Sequence, residues 1–430
     1  MPAVSIDGWA RALACSRTEA GEQRGCKMIV RQFLHWVRTA PAGVRAEATG
    51  ALARAFLYSD LSVEDRAAAE GAMITLIDDP SPLVRHALAE ALAASPDAPH
   101  AVIHALASDQ YDIAAVVLVR SPLFIDAELV DLVATGDCAH QAAIAARAPL
   151  QCAVAAAIAE VGAAEACLIA IENPHADFAP SSIDRIVERF GHLGAIREAL
   201  FARPDLPLPA RQALVRVLSR RLADFVTDCA WLGRERAEEV MREACEKAAV
   251  TIASLGEDAR PLIRHLRVSG QLTAGLVLRA LLSGNMAMFE DALAELSALP
   301  LARVRALVHG RGSAGFRAVF EKAGLPGTTY VAFREALAAI REAEGNGEFI
   351  GAGGGESDGA AGGVGVASRL KRRMVERVLT SCERADLGDI EPLLILLRRF
   401  AAEAAREDAR IYCEQLVSGD TELAEYERAA

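Results

Sequence analysis

The sequence is poor in aromatic residues and has no paired cysteines. Aromatic side chains make up 5% of its 430 residues. The nine cysteines are scattered singly, with no C-x-x-C pair and an odd total, and most lie in alanine-rich stretches where a reduced cysteine acts as a small apolar residue. We therefore expect no disulfide framework and a reducing, cytoplasmic location.

The sequence also lacks the features of a membrane or nucleic-acid-binding protein. Its N-terminus has no basic start followed by an unbroken apolar core, and its longest uncharged apolar run is the dozen residues 148–159. A membrane helix needs about 18 such residues. The net charge of -12 has the wrong sign for binding phosphates. We expect an intracellular protein with no membrane and no nucleic-acid partner.

Common catalytic motifs are missing as well. There is no G-x-S-x-G elbow, no G-x-x-x-x-G-K-[ST] phosphate loop, and no cysteine in a plausible catalytic context with a histidine. We expect no cofactor and a non-enzymatic protein. An acid–base pair formed by carboxylates that are distant in sequence stays open, because sequence does not show proximity in space.

One glycine trio matches the dinucleotide-binding pattern G-x-G-x-x-G, namely Gly310, Gly312 and Gly315. That site requires a strand before the glycines. Residues 301–308 instead have apolar positions at helical spacing. We predict a helix–turn–helix corner, with Gly310 as a left-handed C-cap and Ser313 as the next N-cap.

The residues that are abundant favour thin, closely packed helices. Hydrophobic residues reach 52%, mostly Ala, Leu, Val and Ile. Pro96, Pro122 and Pro149 each follow an apolar helical pattern, at spacings of 26 (122 − 96) and 27 (149 − 122), and each precedes a second short helix. Asp109 and Asp137 are placed to cap the following helices.

Paired short helices at a fixed period are typical of an α-solenoid. We predict an all-α protein, a HEAT-like α-solenoid of short helix pairs followed by a helical C-terminal region. An alanine-rich bundle is the alternative. The predicted parts are an N-terminal segment (1–27), HEAT-like repeats (28–255), a further helical domain (256–343), a glycine-rich disordered linker (344–367) and a C-terminal helical pair (368–430). The pair docks on its own chain or swaps to a second copy.

Three stretches carry a resemblance to a known family. They are "DPSPLVRHALAEALA", "VVLVRSPLFIDAELVDLV" and the helical run that begins "GQLTAGLVLRALLSGN". Together, over roughly Asp79 to Leu337, the sequence resembles the bacterial family known as domain of unknown function 2336. The resemblance implies an all-helical, HEAT-like fold and carries no activity, substrate or catalytic residue.

His100 and His104 are the candidate metal ligands, because residues four apart on a helix share one face. His86 and Asp97 are the nearest further ligands in the sequence. Since such histidine pairs arise freely in helices, we favour two groove or surface histidines and predict no metal.

A basic cluster follows the glycine-rich linker and is the predicted partner-binding site. Acidic residues follow it closely, so a solvated helix face is the alternative. The cluster comprises Arg369, Lys371, Arg372, Arg373 and Arg377.

These observations predict a non-enzymatic protein-interaction scaffold or adaptor that binds a protein partner through its solenoid surface. A ligand-binding or enzymatic HEAT-like protein that uses the solenoid groove is the second hypothesis. A structural homo-oligomer assembled through the C-terminal helices is the third.

Overall fold

The computed structural model describes residues 35–37, 39–256, 258–310, 313–345, 369–384 and 390–429. Within these ranges the regular elements are helices, and the β-type pairing consists of one isolated bridge between Leu150 and Ala176. The predicted all-α class is confirmed. The described part of the chain contains no helix with the length and hydrophobicity of a transmembrane segment.

The chain divides into two compact units. Unit 1 ends at Asp205 and unit 2 begins at Leu206. The predicted N-terminal segment 1–27 lies outside the described residues, and so do residues 346–367 of the predicted linker. The predicted domain boundaries stay predictions.

Unit 1 is built from short helices. They are α1 (Ala42–Tyr58), α2 (Val63–Ile77), α3 (Pro82–Leu92), α4 (His100–Ala107), α5 (Tyr111–Arg120), α6 (Asp126–Thr135), α7 (Cys138–Ala145), α8 (Cys152–Val161), α9 (Ala164–Glu172), α10 (Pro180–Phe190) and α11 (Gly194–Ala202).

The predicted proline stops are confirmed in unit 1. Helices α3, α5 and α7 end at Leu92, Arg120 and Ala145, two to four residues before the three prolines. Short helices α4, α6 and α8 follow them. A proline lacks the N–H that would continue the helix, so these ends were readable from sequence.

The two predicted aspartate caps have different outcomes. Asp137 caps α7 by accepting hydrogen bonds from the N–H groups of Ala139 and His140. Asp109 does not cap α5, whose N-cap is Gln110. The Asp109 carboxylate accepts hydrogen bonds from the guanidinium of Arg85, at 2.6 and 3.0 Å, and from the N–H of Gln110, at 2.7 Å.

Helices of unit 1 pack mainly on helices two positions away in the chain. Each buries small aliphatic side chains, such as Val84, Leu88 and Leu92 of α3, on which solvent exposure is 0%. The packed pairs in one series are α1–α3, α3–α5, α5–α7, α7–α9 and α9–α11, and in the other α2–α4, α6–α8 and α8–α10.

Side chains near helix ends link successive odd-numbered helices. Each of three such side chains donates hydrogen bonds to backbone carbonyls near or just beyond the end of the helix two positions earlier, 26 to 32 residues back. The last carbonyls of a helix have no donor within that helix. The separations are close to the spacings of 26 and 27 residues between the three prolines. The links are Arg147 to Leu118 and Ser121, Asn173 to Ala145 and Arg147, and Arg203 to Ile171 and Ala176.

Unit 2 contains longer helices and one core. Its helices are α12 (Leu208–Asp228), α13 (Arg234–Ala253), α14 (Arg260–Val268), α15 (Ala274–Leu282), α16 (Met286–Ser297), α17 (Leu301–Val308), α18 (Ser313–Lys322), α19 (Tyr330–Gly345), α20 (Arg372–Arg384) and α21 (Glu391–Ala429), with a 3-10 turn at Gly327–Thr329.

Aromatic rings fill the centre of unit 2. Phe289, Phe320 and Phe333 are buried, and their centroids lie 6.1 Å (Phe289–Phe333) and 5.4 Å (Phe320–Phe333) apart. Such pairs stabilise a core beyond the area that they bury. Phe316 and Phe400 are buried in the same core, so aromatic rings from several helices meet there.

The C-terminal helices α20 and α21 pack into this same core. Val378 and Phe400 are buried there. On α15, Arg279 is 3% exposed and makes a two-pronged ion pair with Glu403 of α21, at 2.9 and 2.8 Å. The structure therefore places the helical pair on its own chain. Exchange with a second copy stays a prediction.

Candidate functional site

The glycine corner does not have the geometry of a nucleotide loop. Residues Leu301–Val308 form helix α17 where a dinucleotide site needs a strand. The predicted left-handed cap at Gly310 is wrong, because left-handed glycines occur in the described residues at positions 270, 284 and 324. The guanidinium of Arg341 donates to the carbonyls of Val308 and Gly310, which removes the need for that cap.

The start of the helix that follows the glycines also differs from the prediction. Helix α18 begins at Ser313 itself, so this serine is the first helical residue instead of the N-cap. Gly312 lies outside the described residues.

The positive charge of the predicted partner-binding cluster is largely neutralised by carboxylates of unit 2. Three of its guanidiniums pair with carboxylates, and burial lowers the pKa of Lys371. Arg373 is exposed and makes no ion pair with a described residue. The three pairs are Arg369–Glu407 (3.9 Å), Arg372–Glu376 (2.7 Å) and Arg377–Glu342 (2.6 Å).

The histidine pair lies on α4 as predicted. The ring centroids of His100 and His104 are 4.4 Å apart. The third metal-ligating group beside them is Glu128 of α6. The two further ligands that the sequence indicated, His86 and Asp97, are not part of this cluster.

A cleft in unit 2 was not predicted from sequence. It encloses a cavity of about 150 Å³ between α12, α13 and the segment that joins α14 to α15, and its wall is mainly apolar. We name it the α12–α13 cleft. Its lining residues are Gln212, Arg216, Met241, Arg242, Cys245, Glu246, Ala249, Leu266, Gly270, Gln271, Thr273 and Leu276.

Helical spacing brings the cleft residues together. Gln212 and Arg216 are four apart on α12, and Arg242 and Glu246 are four apart on α13, so each pair shares one face of its helix. Gly270 allows the chain to turn between α14 and α15, because its φ of +69° is one that other residues rarely adopt. Neither the helix pairs nor the turn forms a recognisable motif.

Gln212 carries an unused acceptor inside the cleft. The side chain is 0% exposed. Its Nε2 donates to the carbonyl of Cys245 at 3.2 Å and to Oε1 of Gln271 at 3.4 Å, whereas its Oε1 has no hydrogen-bond partner. Leaving a buried amide oxygen unbonded costs about 1–3 kcal/mol. A bound donor would remove that cost.

Burial disfavours the charged forms of Glu246 and Cys245. Burial raises the pKa of the Glu246 carboxyl, although the charge of Arg279 offsets part of that effect. Thr273 donates a hydroxyl hydrogen bond of 3.2 Å to this carboxyl. Burial also raises the pKa of the Cys245 thiol, which disfavours the reactive thiolate.

Two arginines supply positive charge at the edge of the cleft. The side chains of Arg216 and Arg242 are exposed. Within the described residues, neither guanidinium makes a hydrogen bond or an ion pair within 4.0 Å, although the charge of Arg242 contributes to the lowered pKa of Glu239 and opposes the raised pKa of Glu246. Most other arginines of unit 2 bind carboxylates, for example Arg377 with Glu342 at 2.6 Å. These two guanidiniums are therefore available to an anionic group.

The fold and the cleft define an all-α protein with a small, mainly apolar cavity that has two arginines at its edge. A family model described as an uncharacterised protein conserved in bacteria, domain of unknown function 2336, matches residues 113–388. That segment is more than half of the chain, and the chain belongs to this family. The cleft lies within the matched segment. No curated protein and no solved structure matches the chain.

Proposed function

We propose that this protein is a non-enzymatic interaction module that binds an acidic segment of a partner protein in the α12–α13 cleft. The observation that carries the proposal is the pair of unpaired guanidiniums, Arg216 and Arg242, beside an apolar cavity. Arginine binds carboxylates through two parallel hydrogen bonds, and these are among the stronger hydrogen bonds in proteins.

The size of the cavity favours a side chain over a cofactor. Pockets for drug-sized ligands measure roughly 300–1,000 Å³. The α12–α13 cleft offers about 150 Å³, which suits one aliphatic or aromatic side chain. A backbone N–H of the bound segment would donate to Gln212 Oε1, which is otherwise unbonded. The recognised segment is thus an apolar anchor residue with acidic neighbours.

The packing of unit 1 supports the HEAT-like solenoid as the scaffold of this module. Helices two apart contact each other along the unit, and linking side chains such as Asn173 bond the previous helix at the repeat spacing. Stacked repeats of this kind bury their apolar faces only on their neighbours. The described cysteines are free, which agrees with a cytoplasmic location.

One observation favours the alternative of a ligand-binding or enzymatic cleft. Glu246 has a raised pKa inside a cavity, as general acids often have. The cleft does not offer it a nucleophile, since burial also raises the pKa of the neighbouring Cys245 thiol. We therefore rank this alternative second.

The proposal is tested by measuring peptide binding to the full chain by fluorescence anisotropy. The probes are two labelled peptides that share a central leucine, one flanked by glutamates and one by lysines. We expect the acidic peptide to bind more tightly. Arg216→Glu and Arg242→Glu should each weaken it about tenfold or more, because a hydrogen bond to a charged group contributes about 1.5–3 kcal/mol and each 1.4 kcal/mol is tenfold.

Arg373→Glu is the matched control, since Arg373 is also exposed and without an ion pair in the described chain. It changes the net charge equally but lies in the basic cluster and does not line the cleft. Equal binding of both peptides would refute the proposal. A loss seen with Arg373→Glu and absent from both cleft variants would move the contact to the basic cluster predicted from sequence.

A further inference from the structure

Unit 1 contains a cluster of three metal-ligating side chains that is independent of the cleft. His100 and His104 lie on α4, and Glu128 lies in the first turn of α6. One ligand atom from each lies within 4.8 Å of those of the other two. A metal ion about 2.1 Å from each ligand requires pairs within about 4.2 Å of one another, so small side-chain rotations suffice to close the site.

The His104 imidazole has an unbonded nitrogen that faces this cluster. Its Nε2 is shielded from solvent and has no hydrogen-bond partner. It lies 3.1 Å from Glu128 Oε1, but the angles are not those of a hydrogen bond. A buried polar atom without a partner is uncommon and requires an explanation. A cation shared by the imidazole and the carboxylate would provide one.

Neighbouring groups already orient two of the three ligands. The second oxygen of Glu128, Oε2, accepts a hydrogen bond of 3.0 Å from the N–H of Ile125. The edge of Phe124 contacts the His104 ring at a centroid distance of 5.1 Å. Metal sites depend on such outer contacts, which hold ligands in position before the ion binds.

Charge and ligand type select the kind of ion. Two imidazoles and one carboxylate suit Zn²⁺ and related divalent transition metals, whereas Mg²⁺ and Ca²⁺ prefer oxygen ligands. His104 lies in the last turn of an eight-residue helix, where the partial negative charge of the helix end favours a cation.

We infer that His100, His104 and Glu128 form a binding site for a divalent transition metal ion of the zinc type. Water completes the coordination, because the chain supplies three ligands. The ion would link α4 to the start of α6, two helices that belong to successive pairs of unit 1. This site does not depend on the proposed function of the cleft.

The inference is tested by titrating the metal-free full chain with Zn²⁺ by isothermal calorimetry. We expect one Zn²⁺ to bind the wild type. His104→Ala and Glu128→Gln should each weaken binding at least about tenfold, since even the loss of an outer contact costs 10–100-fold in affinity. His175→Ala is the control, because this exposed histidine belongs to unit 1 but not to the cluster.

Co²⁺ absorption spectroscopy distinguishes this site from adventitious binding by cysteine. Cys138, Cys229 and Cys413 are exposed and could bind Zn²⁺ as thiolates. We expect Co²⁺ spectra of nitrogen and oxygen ligation without a thiolate charge-transfer band, and their loss in His104→Ala. A thiolate band, equal Zn²⁺ affinity in wild type and His104→Ala, or no binding at submillimolar Zn²⁺ would overturn the inference. Unchanged circular dichroism establishes that each variant is folded.

Discussion

The two units of the molecule differ in how their buried polar side chains are hydrogen-bonded. In unit 1, Asn173 and Gln141 are buried amides whose oxygens and nitrogens are both hydrogen-bonded. Within its described residues, His104 Nε2 is the buried side-chain nitrogen or oxygen that has no such partner. In unit 2, Gln212 is fully buried and its Oε1 is unbonded beside a cavity. The bonded amides join helices of unit 1, whereas His104 and Gln212 place an unbonded atom at each of the two proposed sites. Unit 2 has further such atoms outside the cleft, on Glu243, Arg279 and Arg399.

The units also differ in how far their contacts reach along the chain. The side-chain links of unit 1 connect residues at about one repeat, as from Asn173 to Ala145 (28 residues). In unit 2 the ion pair of Arg279 with Glu403 spans 124 residues. Helices of unit 1 are thus linked to helices close to them in the chain, whereas the core of unit 2 brings together helices that are far apart in the chain.

The largest expected effect concerns the aromatic core of unit 2. Phe289→Ala should lower the free energy of unfolding by about 3–5 kcal/mol, because it leaves a cavity among rings that are buried and in contact. Denaturant titration of the full chain measures this change. Phe225→Ala is the control, since that ring is 53% exposed and little is lost by removing it. Equal effects would contradict the assignment of the core.

Removing one of the side-chain hydrogen bonds that join helices of unit 1 should have an intermediate effect on the free energy of unfolding. Asn173→Ala removes donors to the carbonyls of Ala145 and Arg147, at 3.0 and 2.7 Å, and leaves them without this partner. We expect a loss of about 1–3 kcal/mol in denaturant titration. Glu172→Ala, an exposed neighbour, should change little. If Asn173→Ala were as stable as Glu172→Ala, the hydrogen bonds of Asn173 would contribute nothing measurable to the stability of unit 1.

The smallest effect concerns the buried carboxyl of the cleft. The folded-state pKa of Glu246 is raised above its ordinary value of 4.5, so its ionised form destabilises the fold. The favourable contribution of the protonated group is complete below pH 4.5 and is lost as pH rises through the folded-state pKa. Glu246→Gln should therefore be slightly more stable than wild type at neutral pH and equal to it in acid.

Thermal unfolding over a pH series measures this difference. The exposed Glu238→Gln variant serves as the control for the loss of one charge. A stability gain that persisted unchanged in acid would show that packing, and not ionisation, distinguishes glutamine from glutamate at this position.

Local patterns predicted much of the secondary structure. The proline-terminated helices and the cap of α7 at Asp137 were predictable, because each depends on residues within one helical turn. The caps predicted at Asp109 and Gly310 were wrong: α5 has Gln110 as its N-cap, and Gly310 is not left-handed. Arg85 and Arg341, from other helices, bind the Asp109 carboxylate and the Gly310 carbonyl. One helix cap contributes only about 1 kcal/mol, so contacts from other helices can outweigh it.

The residues of the candidate sites were likewise predictable from sequence only in part. His100 and His104 were identified from sequence because they are one helical turn apart, whereas Glu128 joined them only through tertiary packing. The residues that line the cleft form no sequence motif, because they come from different helices, as Gln212 and Glu246 do.

Sequence patterns were sufficient to predict the all-α class and the three helix ends before Pro96, Pro122 and Pro149, because helix periodicity and proline chemistry act over a few residues. The pairing of charges, the buried polar atoms without partners and the packing of the C-terminal helices became known from the folded structure alone. Those outcomes depend on side chains from distant segments meeting in space, which no local pattern encodes.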